Sequence, residues 1–242
     1  MRKLLNTLFV TIQGAILHRE GEAIDIRENG ESRLKMPIHL LSGVVCFGVV
    51  TVTPPCMALC VEHGVLVSFL TENGKFLARV VGPVSGNVLL RKAQYSASND
   101  LERSAVIARR IVTAKVANCR AVLQRACRDH PDAQGVIDVK KTAEELTNVI
   151  GHLKISEPLD VVRGREGDVA RRYFAVFDHL IVTQKEDFYF RGRSRRPPLD
   201  LVNALLSFIY TLLVHDVSSA CEGVGLDPAV GFLHRDRPGR PG

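Results

Sequence analysis

Three side chains carry groups that catalytic sites use and stand outside the obvious packing positions: Glu166, His234 and Tyr210. Glu166 lies between two glycines in residues 163–168 (RGREGD), which let another group approach closely, and we predict it at the start of a helix. His234 ends a predicted short helix (residues 231–234, GFLH), and Tyr210 lies among apolar residues. Glu166 and His234 are 68 residues apart, so only the tertiary fold could join them.

Each of these side chains also has a purely structural explanation. The helix dipole favours a carboxylate in the first turn, which accounts for Glu166. A histidine can be a hydrogen-bonded core residue, and a tyrosine can be a buried ring with a bonded hydroxyl. The residues alone therefore leave a catalytic role and a structural role open for Glu166, His234 and Tyr210.

The basic residues of the chain are concentrated in two segments. Of the 32 Lys and Arg residues, 23 are arginine, which favours phosphate as a partner because arginine makes bidentate contacts to it. Residues 91–128 hold nine basic and two acidic residues, although a solvated helix face explains that excess equally well. Residues 191–196 contain four arginines, whose mutual repulsion a polyanion would relieve. The candidate contacts are Arg109, Arg110, Arg193, Arg195 and Arg196.

Cysteine usage and hydropathy exclude several classes of protein. The six cysteines form no CxxC pair, and Cys56 and Cys60 have no second pair at metal-ligand spacing, so we expect small buried hydrophobes. The most apolar stretch, residues 201–214, is shorter than the roughly 20 residues of a membrane span, and we predict a buried helix. The N-terminus has no apolar targeting region. We therefore expect a reduced, cytoplasmic protein that does not bind membranes.

The elements that must position these groups divide into two parts, which predicts an α+β protein. Residues 1–85 read as a β domain interrupted by one helix, which starts at Pro54 and closes near Gly64. We predict a linker over residues 86–98 and an all-helical domain over residues 99–242. We predict its helices over residues 100–128, 139–153, 157–180 with a break near Gly164, and 199–221.

Three motifs occur in order along the chain: residues 165–174 (REGDVARRYF), residues 195–210 (RRPPLDLVNALLSFIY) and residues 225–234 (GLDPAVGFLH). Together they resemble the CRISPR-associated spacer-acquisition integrase, the large catalytic subunit of the adaptation machinery. Residues 48–64 and residues 86–95 (GNVLLRKAQY) are similar to the same family, and to its compact type I branch in particular. The resemblance covers essentially the whole chain.

The resemblance implies a homodimer formed through the β domain and a metal site in the helical domain. In the family a glutamate, a histidine and an aspartate hold Mg²⁺ or Mn²⁺, and by motif the first two fall on Glu166 and His234. Tyr210 would lie close to the reacting phosphate. The implied activity is a metal-dependent endonuclease and integrase that joins short DNA fragments, as new spacers, to a CRISPR array by transesterification at their 3′-hydroxyl ends.

The resemblance also implies a set of partners. These are double-stranded DNA fragments, the CRISPR repeat, a second copy of the chain and the small adaptation protein that bridges two integrase dimers. An iron–sulfur exonuclease is a further candidate partner. The basic segments would then contact DNA phosphates without reading sequence.

The chain departs from the family pattern after His234. The family's aspartate lies on a helix beyond the histidine, whereas only eight residues follow His234 here, and their one acidic residue, Asp236, belongs to the preceding loop. We therefore expect a chain that stops before its last metal ligand and that dimerises but has little activity. The alternative function is a non-catalytic subunit for DNA binding and assembly. A basic helical protein with fortuitous motifs is disfavoured by their order.

Overall fold

The computed structural model describes residues 6–82 and 88–234, apart from the side chains of His215 and Ser219. By its internal contacts the chain divides into two compact units. The first, the β unit, comprises residues 1–87 and 210–225, and the second, the helical unit, comprises residues 88–209 and 226–242. The protein is thus α+β, as the sequence predicts.

The short alternating runs of the first third of the chain form β-strands. They are β1 (Thr7–Val10), β2 (Ile16–Glu20), β3 (Ala23–Glu28), β4 (Glu31–Pro37), β5 (Gly43–Phe47), β6 (Thr51–Val52), β7 (Leu66–Leu70) and β8 (Phe76–Val80). One sheet has the order β1-β5-β7-β8, parallel except for β8, and the other has the order β4-β3-β2-β6. A hairpin connects β7 to β8, and Gly74 takes the positive φ of 80° that its turn requires.

Helix α1 (Pro54–Glu62) supplies much of the core of the β unit. It begins with two prolines, whose missing N–H groups cost nothing in a first turn, and it buries Cys56, Leu59 and Cys60 completely. Burial raises the pKa of the nearby Cys46 thiol to about 12. The hydrogen bond between Cys56 and Cys60 raises the pKa of Cys60 and lowers that of Cys56. Cys56 and Cys60 are therefore buried core residues, as predicted.

The helical unit contains α2 (Val88–Asn99), α3 (Leu101–Asp129), α4 (Val136–His152) and α5 (Leu159–Ala175), and α6 (Leu201–Gly223) starts in it. The carboxylate of Asp100 caps α3 by accepting the backbone N–H groups of Glu102 and Arg103 at 2.9 and 3.1 Å. The shared core consists of Ala108, Val112, Val116 and Leu123 from α3, Val139 and Leu146 from α4, and Val162 and Val169 from α5. Within each helix these residues are four or seven positions apart, which places them on one face of the helix.

Three local predictions are wrong. Residues 88–98, which we assigned to a linker, belong to helix α2. Helix α5 does not break at Gly164, because burial of Val162 and Val169 outweighs the roughly 1 kcal/mol that a glycine costs inside a helix. Glu166 therefore lies in the middle of α5 rather than at its start. Residues 231–234 form bends rather than a short helix.

Helix α6 forms over the predicted residues, but it is largely exposed rather than buried. Its apolar side chains Leu201, Leu205, Ile209, Leu213 and Val217 are each 50–55% exposed. By length and composition α6 could cross a membrane, but a single helix of this kind is weak evidence for a span. The apolar composition of α6 predicts that other groups cover this face, but the sequence does not show which ones.

The β unit also buries a charge, which gives a pH-dependent prediction. Asp25 is inaccessible to solvent, and its carboxylate accepts hydrogen bonds from Ser32 Oγ at 2.5 Å and Arg27 Nε at 2.6 Å. These two bonds hold the pKa of Asp25 below its ordinary value. The stability that they provide is thus present above about pH 4, the unfolded pKa, and is lost as the pH falls through the folded pKa.

We expect Asp25→Asn to lower the free energy of unfolding at pH 7, because the amide cannot form the same charged contacts. Its difference from the unsubstituted chain should shrink when urea unfolding is repeated near pH 3. Glu31→Gln, at an exposed position of β4, is the control and should change little at either pH. A deficit of Asp25→Asn that is equal at both pH values would contradict this account.

Candidate functional site

Glu166 is paired with a cation supplied by the protein. Its side chain lies where α5 packs against α3, and Oε1 accepts a hydrogen bond from the ammonium of Lys115 on α3. Only 18% of the Glu166 side chain is exposed, against 46% of Lys115. Glu166 is therefore the more buried member of the pair, and its carboxylate already has a positively charged partner.

The thiol of Cys119 lies beside this pair, one helical turn after Lys115. Burial raises the pKa of Cys119, the positive charge of Lys115 lowers it and the negative charge of Glu166 raises it, so both ionised groups act on the sulfur. The net direction is upward, which leaves a neutral thiol at pH 7. Cys119 therefore forms part of the surroundings of Glu166 and does not compete with it as an anionic ligand.

The segment that carries His234 is fixed by a buried amide on α2. Gln94 is 7% exposed; its Nε2 donates to the carbonyl oxygens of Asp227 and Val230 at 2.8 and 3.1 Å, and its Oε1 accepts the N–H of Asp227 at 2.8 Å. The neighbouring Tyr95 hydroxyl donates to the Asp227 carboxylate at 2.6 Å. That bond, together with the N–H of Ala229, holds the pKa of Asp227 below its ordinary value.

A second attachment joins the same segment to α5. Arg163 Nε donates to the carbonyl oxygen of Leu233, the residue before His234, at 2.8 Å. Arg163 precedes Glu166 by three residues, so the two lie on one face of α5. The residue that holds the backbone next to His234 therefore lies one helical turn before Glu166 on α5.

His234 itself lines a groove of about 890 Å³ in the helical unit. Other lining residues come from the start of α3, from residues 156–160 and from α5, where Arg163 contributes. Among residues 6–82 and 88–234, His, Cys, Asp and Glu side chains form no cluster of three or more that could hold a metal ion. Asp236 lies outside the described residues.

The donor types nevertheless fit a divalent cation such as Mg²⁺ or Mn²⁺. Carboxylate oxygen suits both ions and imidazole suits Mn²⁺, and the carboxylate of Glu166 already has a cationic partner. Glu166 and His234 are the residues that would hold the ion. Whether they do so stays a prediction.

The arginines predicted to contact DNA fall into two groups. Arg193 donates to Asn203 Oδ1 at 2.8 Å and to Ser207 Oγ at 3.3 Å, which anchors the 191–196 loop to the first turns of α6. Arg109 similarly donates to the carbonyl oxygens of residues 153 and 154. The other three, Arg110, Arg195 and Arg196, are exposed.

Asn203 explains why the arginine loop has a defined shape. It is fully buried; its Nδ2 donates to the carbonyl of Gly192 at 2.8 Å, and its Oδ1 accepts the N–H of Ser194 at 3.0 Å. The mutual repulsion of the arginines is therefore offset partly by neutral hydrogen bonds within the protein. Tyr210, also on α6, is 42% exposed and belongs to the β unit, so its predicted role beside the reacting phosphate stays a prediction.

Reasoning from the sequence missed Lys115, Gln94 and Arg163, which position the candidate residues. Lys115 is one of nine basic residues in residues 91–128, and nothing in its spacing distinguishes it from the others. Gln94 and Arg163 both act on a segment more than 65 residues later in the chain. Only the folded chain shows these contacts.

Comparison with known proteins gives chain-long matches. The profile of the family "CRISPR associated protein Cas1" matches residues 8–242. A CRISPR-associated endonuclease Cas1 of Chlorobaculum tepidum is 48% identical over 241 residues, and one of Rhodospirillum rubrum is 50% identical over 246 residues. Each match covers 100% of this chain and 70% of the relative. A Cas4/Cas1 fusion of Geobacter sulfurreducens is 34% identical over 237 residues, 97% of this chain and 42% of the fusion.

Solved structures with the same fold include a Cas1 protein from Thermotoga maritima. It is 21% identical with a TM-score of 0.74, over 97% of this chain and 70% of that one. A casposase bound to its integration product is 26% identical with a TM-score of 0.75, over 98% of this chain and 66% of that one. A chain of a Cas6-RT-Cas1–Cas2 complex is 21% identical with a TM-score of 0.69, over 98% of this chain and 25% of that one.

The buried amide of Gln94 gives a prediction about stability. We expect Gln94→Ala to lower the free energy of unfolding of the helical unit by about 1–3 kcal/mol, because it leaves buried backbone groups without partners. Chemical denaturation followed by circular dichroism measures the loss, and Gln124→Ala, at an exposed position of α3, is the control. Equal stability of the two variants would show that residues 227–230 are held by other contacts.

Proposed function

Because the chain belongs to the CRISPR-associated Cas1 family, it is a DNA-cleaving or DNA-integrating enzyme of CRISPR adaptation, and we propose that it joins short DNA fragments to a CRISPR array with the help of a divalent metal ion. The observation that carries the joining activity is the likeness over 98% of the chain to a casposase bound to its integration product. The matches to endonucleases support cleavage by the same site.

The proposed reaction is a transesterification at phosphorus. The 3′-hydroxyl of the incoming fragment forms a new phosphodiester bond, and the bond to the 3′-oxygen of the target strand breaks. The departing oxygen takes up a proton, so the number of phosphodiester bonds is conserved. A divalent ion, when bound, polarises the phosphate and stabilises the negative charge that develops on it.

The chain's own residues would perform the binding and orientation. Glu166 and His234 would hold the ion, and the segment that carries His234 is held by Gln94 at Asp227 and by Arg163 at Leu233. The exposed Arg195 and Arg196 would contact DNA backbone phosphates, and Tyr210 would lie near the reacting phosphate. Since phosphate contacts carry no sequence information, recognition of the repeat needs further contacts.

The partners follow from the family. We propose a homodimer formed through the β unit, with double-stranded DNA fragments and the CRISPR repeat as ligands, in the cytoplasm. The Cas4/Cas1 fusions support an exonuclease as a companion, and the Cas1–Cas2 complex of like fold supports a small bridging protein. None of these proposals requires a membrane.

A strand-joining assay tests the proposed function. We expect the purified chain with Mn²⁺ or Mg²⁺ to join a labelled 3′-hydroxyl duplex to a plasmid that carries a CRISPR repeat, at a low rate because Glu166 and His234 have no third ligand among the described residues. Glu166→Gln should lower the rate about 100-fold or more, because it removes the charged metal ligand. Glu144→Gln, at an exposed position of α4, is the matched control and should retain the rate. Equal rates for both variants would remove Glu166 from the site.

The same assay separates the second candidate, a DNA-binding and assembly subunit without catalysis. One observation favours it: in the described parts of the chain, Glu166 and His234 are not joined by a third ligand. A chain that binds DNA but neither joins nor cuts it with any divalent ion would establish this second function.

The exposed arginines give a separate prediction for DNA binding. Each phosphate contact releases counterions, so the double variant Arg195→Ala, Arg196→Ala should reduce the slope of log K against log salt by about 1.8. Fluorescence anisotropy at several salt concentrations measures this slope for a duplex of arbitrary sequence. The double variant Lys140→Ala, Lys141→Ala on α4 removes the same charge elsewhere. If both pairs flatten the slope equally, net charge rather than the loop is responsible.

A further inference from the structure

Lys115 is a cation that the proposed metal site already contains. Its ammonium donates to the carboxylate of Glu166, so the protein itself neutralises the group that would bind a divalent ion. An ion that binds Oε1 of Glu166 must therefore displace this ammonium. An ion pair that only stabilises the fold would not need a predicted metal ligand as one of its members.

The two members of the pair differ in their freedom to move. Lys115 is 46% exposed and ends in an ammonium on a flexible four-carbon stem, so it can turn into solvent at little cost. Glu166 is 18% exposed and is held where α3 packs against α5. An ion pair with one exposed member is weak, and a divalent ion offers the carboxylate twice the charge. A binding ion therefore displaces the ammonium of Lys115, and the carboxylate of Glu166 stays in place.

We propose that Lys115 is a positioning residue that couples metal binding to DNA binding, an inference that rests on the proposed function. In the metal-free chain its ammonium occupies Glu166. When a divalent ion binds Glu166, the ammonium is released next to the place where the DNA phosphate must lie, and it contacts that phosphate. The site thus exchanges one partner for another and leaves neither charge unpaired.

Two consequences distinguish this role from a permanent ion pair. Removing the ammonium should tighten metal binding in the absence of DNA, because the ion no longer has to displace it. The same change should weaken the enhancement of DNA binding by metal, because the released cation is missing. By linkage, DNA should increase metal affinity by the same factor as metal increases DNA affinity. A purely structural pair would not give both effects, because loss of a nearby positive charge tightens metal binding by itself but leaves the metal-dependent gain in DNA affinity unchanged.

The experiment compares the unsubstituted chain with Lys115→Met, Lys115→Gln, Glu166→Gln and the control Lys140→Met, an exposed lysine of α4. Free Mn²⁺ measured by electron paramagnetic resonance gives the metal affinity without DNA. Fluorescence anisotropy with a short duplex gives the DNA affinity with and without Mn²⁺ at constant ionic strength. Circular dichroism verifies that each variant folds, and the two Lys115 variants guard against an effect of one side chain.

We expect Lys115→Met to bind Mn²⁺ about twofold to fivefold more tightly, the range that an exposed ion pair provides. We expect its Mn²⁺-dependent gain in DNA affinity to fall by a comparable factor, while Lys140→Met matches the unsubstituted chain. Unchanged or weaker Mn²⁺ binding in both Lys115 variants, with Glu166→Gln still defective, would overturn the role of Lys115 and leave the metal site standing. If Glu166→Gln binds Mn²⁺ normally, the metal site itself is wrong.

Discussion

The burial of one face of α5 against α3 and α4 is the interaction on which the candidate site depends. Val162 and Val169 anchor that face in the shared core, and the ion pair between Arg172 and Glu145 joins α5 to α4 at 2.6 Å. With the helix so fixed, Glu166 meets Lys115 and Arg163 reaches the backbone before His234. A small rotation of α5 would break both contacts at once.

The second requirement is that an irregular segment be held as firmly as a helix. Residues 226–234 have no secondary structure of their own beyond turns, so their backbone groups need other partners. Gln94 supplies both a donor and an acceptor, Tyr95 fixes Asp227, and Arg163 fixes Leu233. Side chains from two helices thereby supply the hydrogen bonds that regular secondary structure supplies elsewhere. They fix the backbone that positions the imidazole of His234.

Several basic side chains of the helical unit already have partners within the protein. The basic excess of residues 91–128 is not a uniform field, because Lys115 pairs with Glu166 and Arg109 binds carbonyl oxygens. Likewise Arg193 is bonded to Asn203, which leaves Arg191, Arg195 and Arg196 as the exposed charges of their loop. Fewer arginines are therefore available to a polyanion than composition suggests.

The sequence alone determined the class of fold, most helix and strand positions, and the family with its candidate residues Glu166 and His234, because periodicity, turn chemistry and motifs are local properties of the chain. It missed helix α2, predicted a break in α5 that is absent and predicted burial of α6, because local preference competes with packing at these places. Only the tertiary structure decided that Lys115 faces Glu166 and that Gln94 and Arg163 hold the histidine segment. Those contacts join residues 51 to 136 positions apart, and packing, not spacing, brings them together.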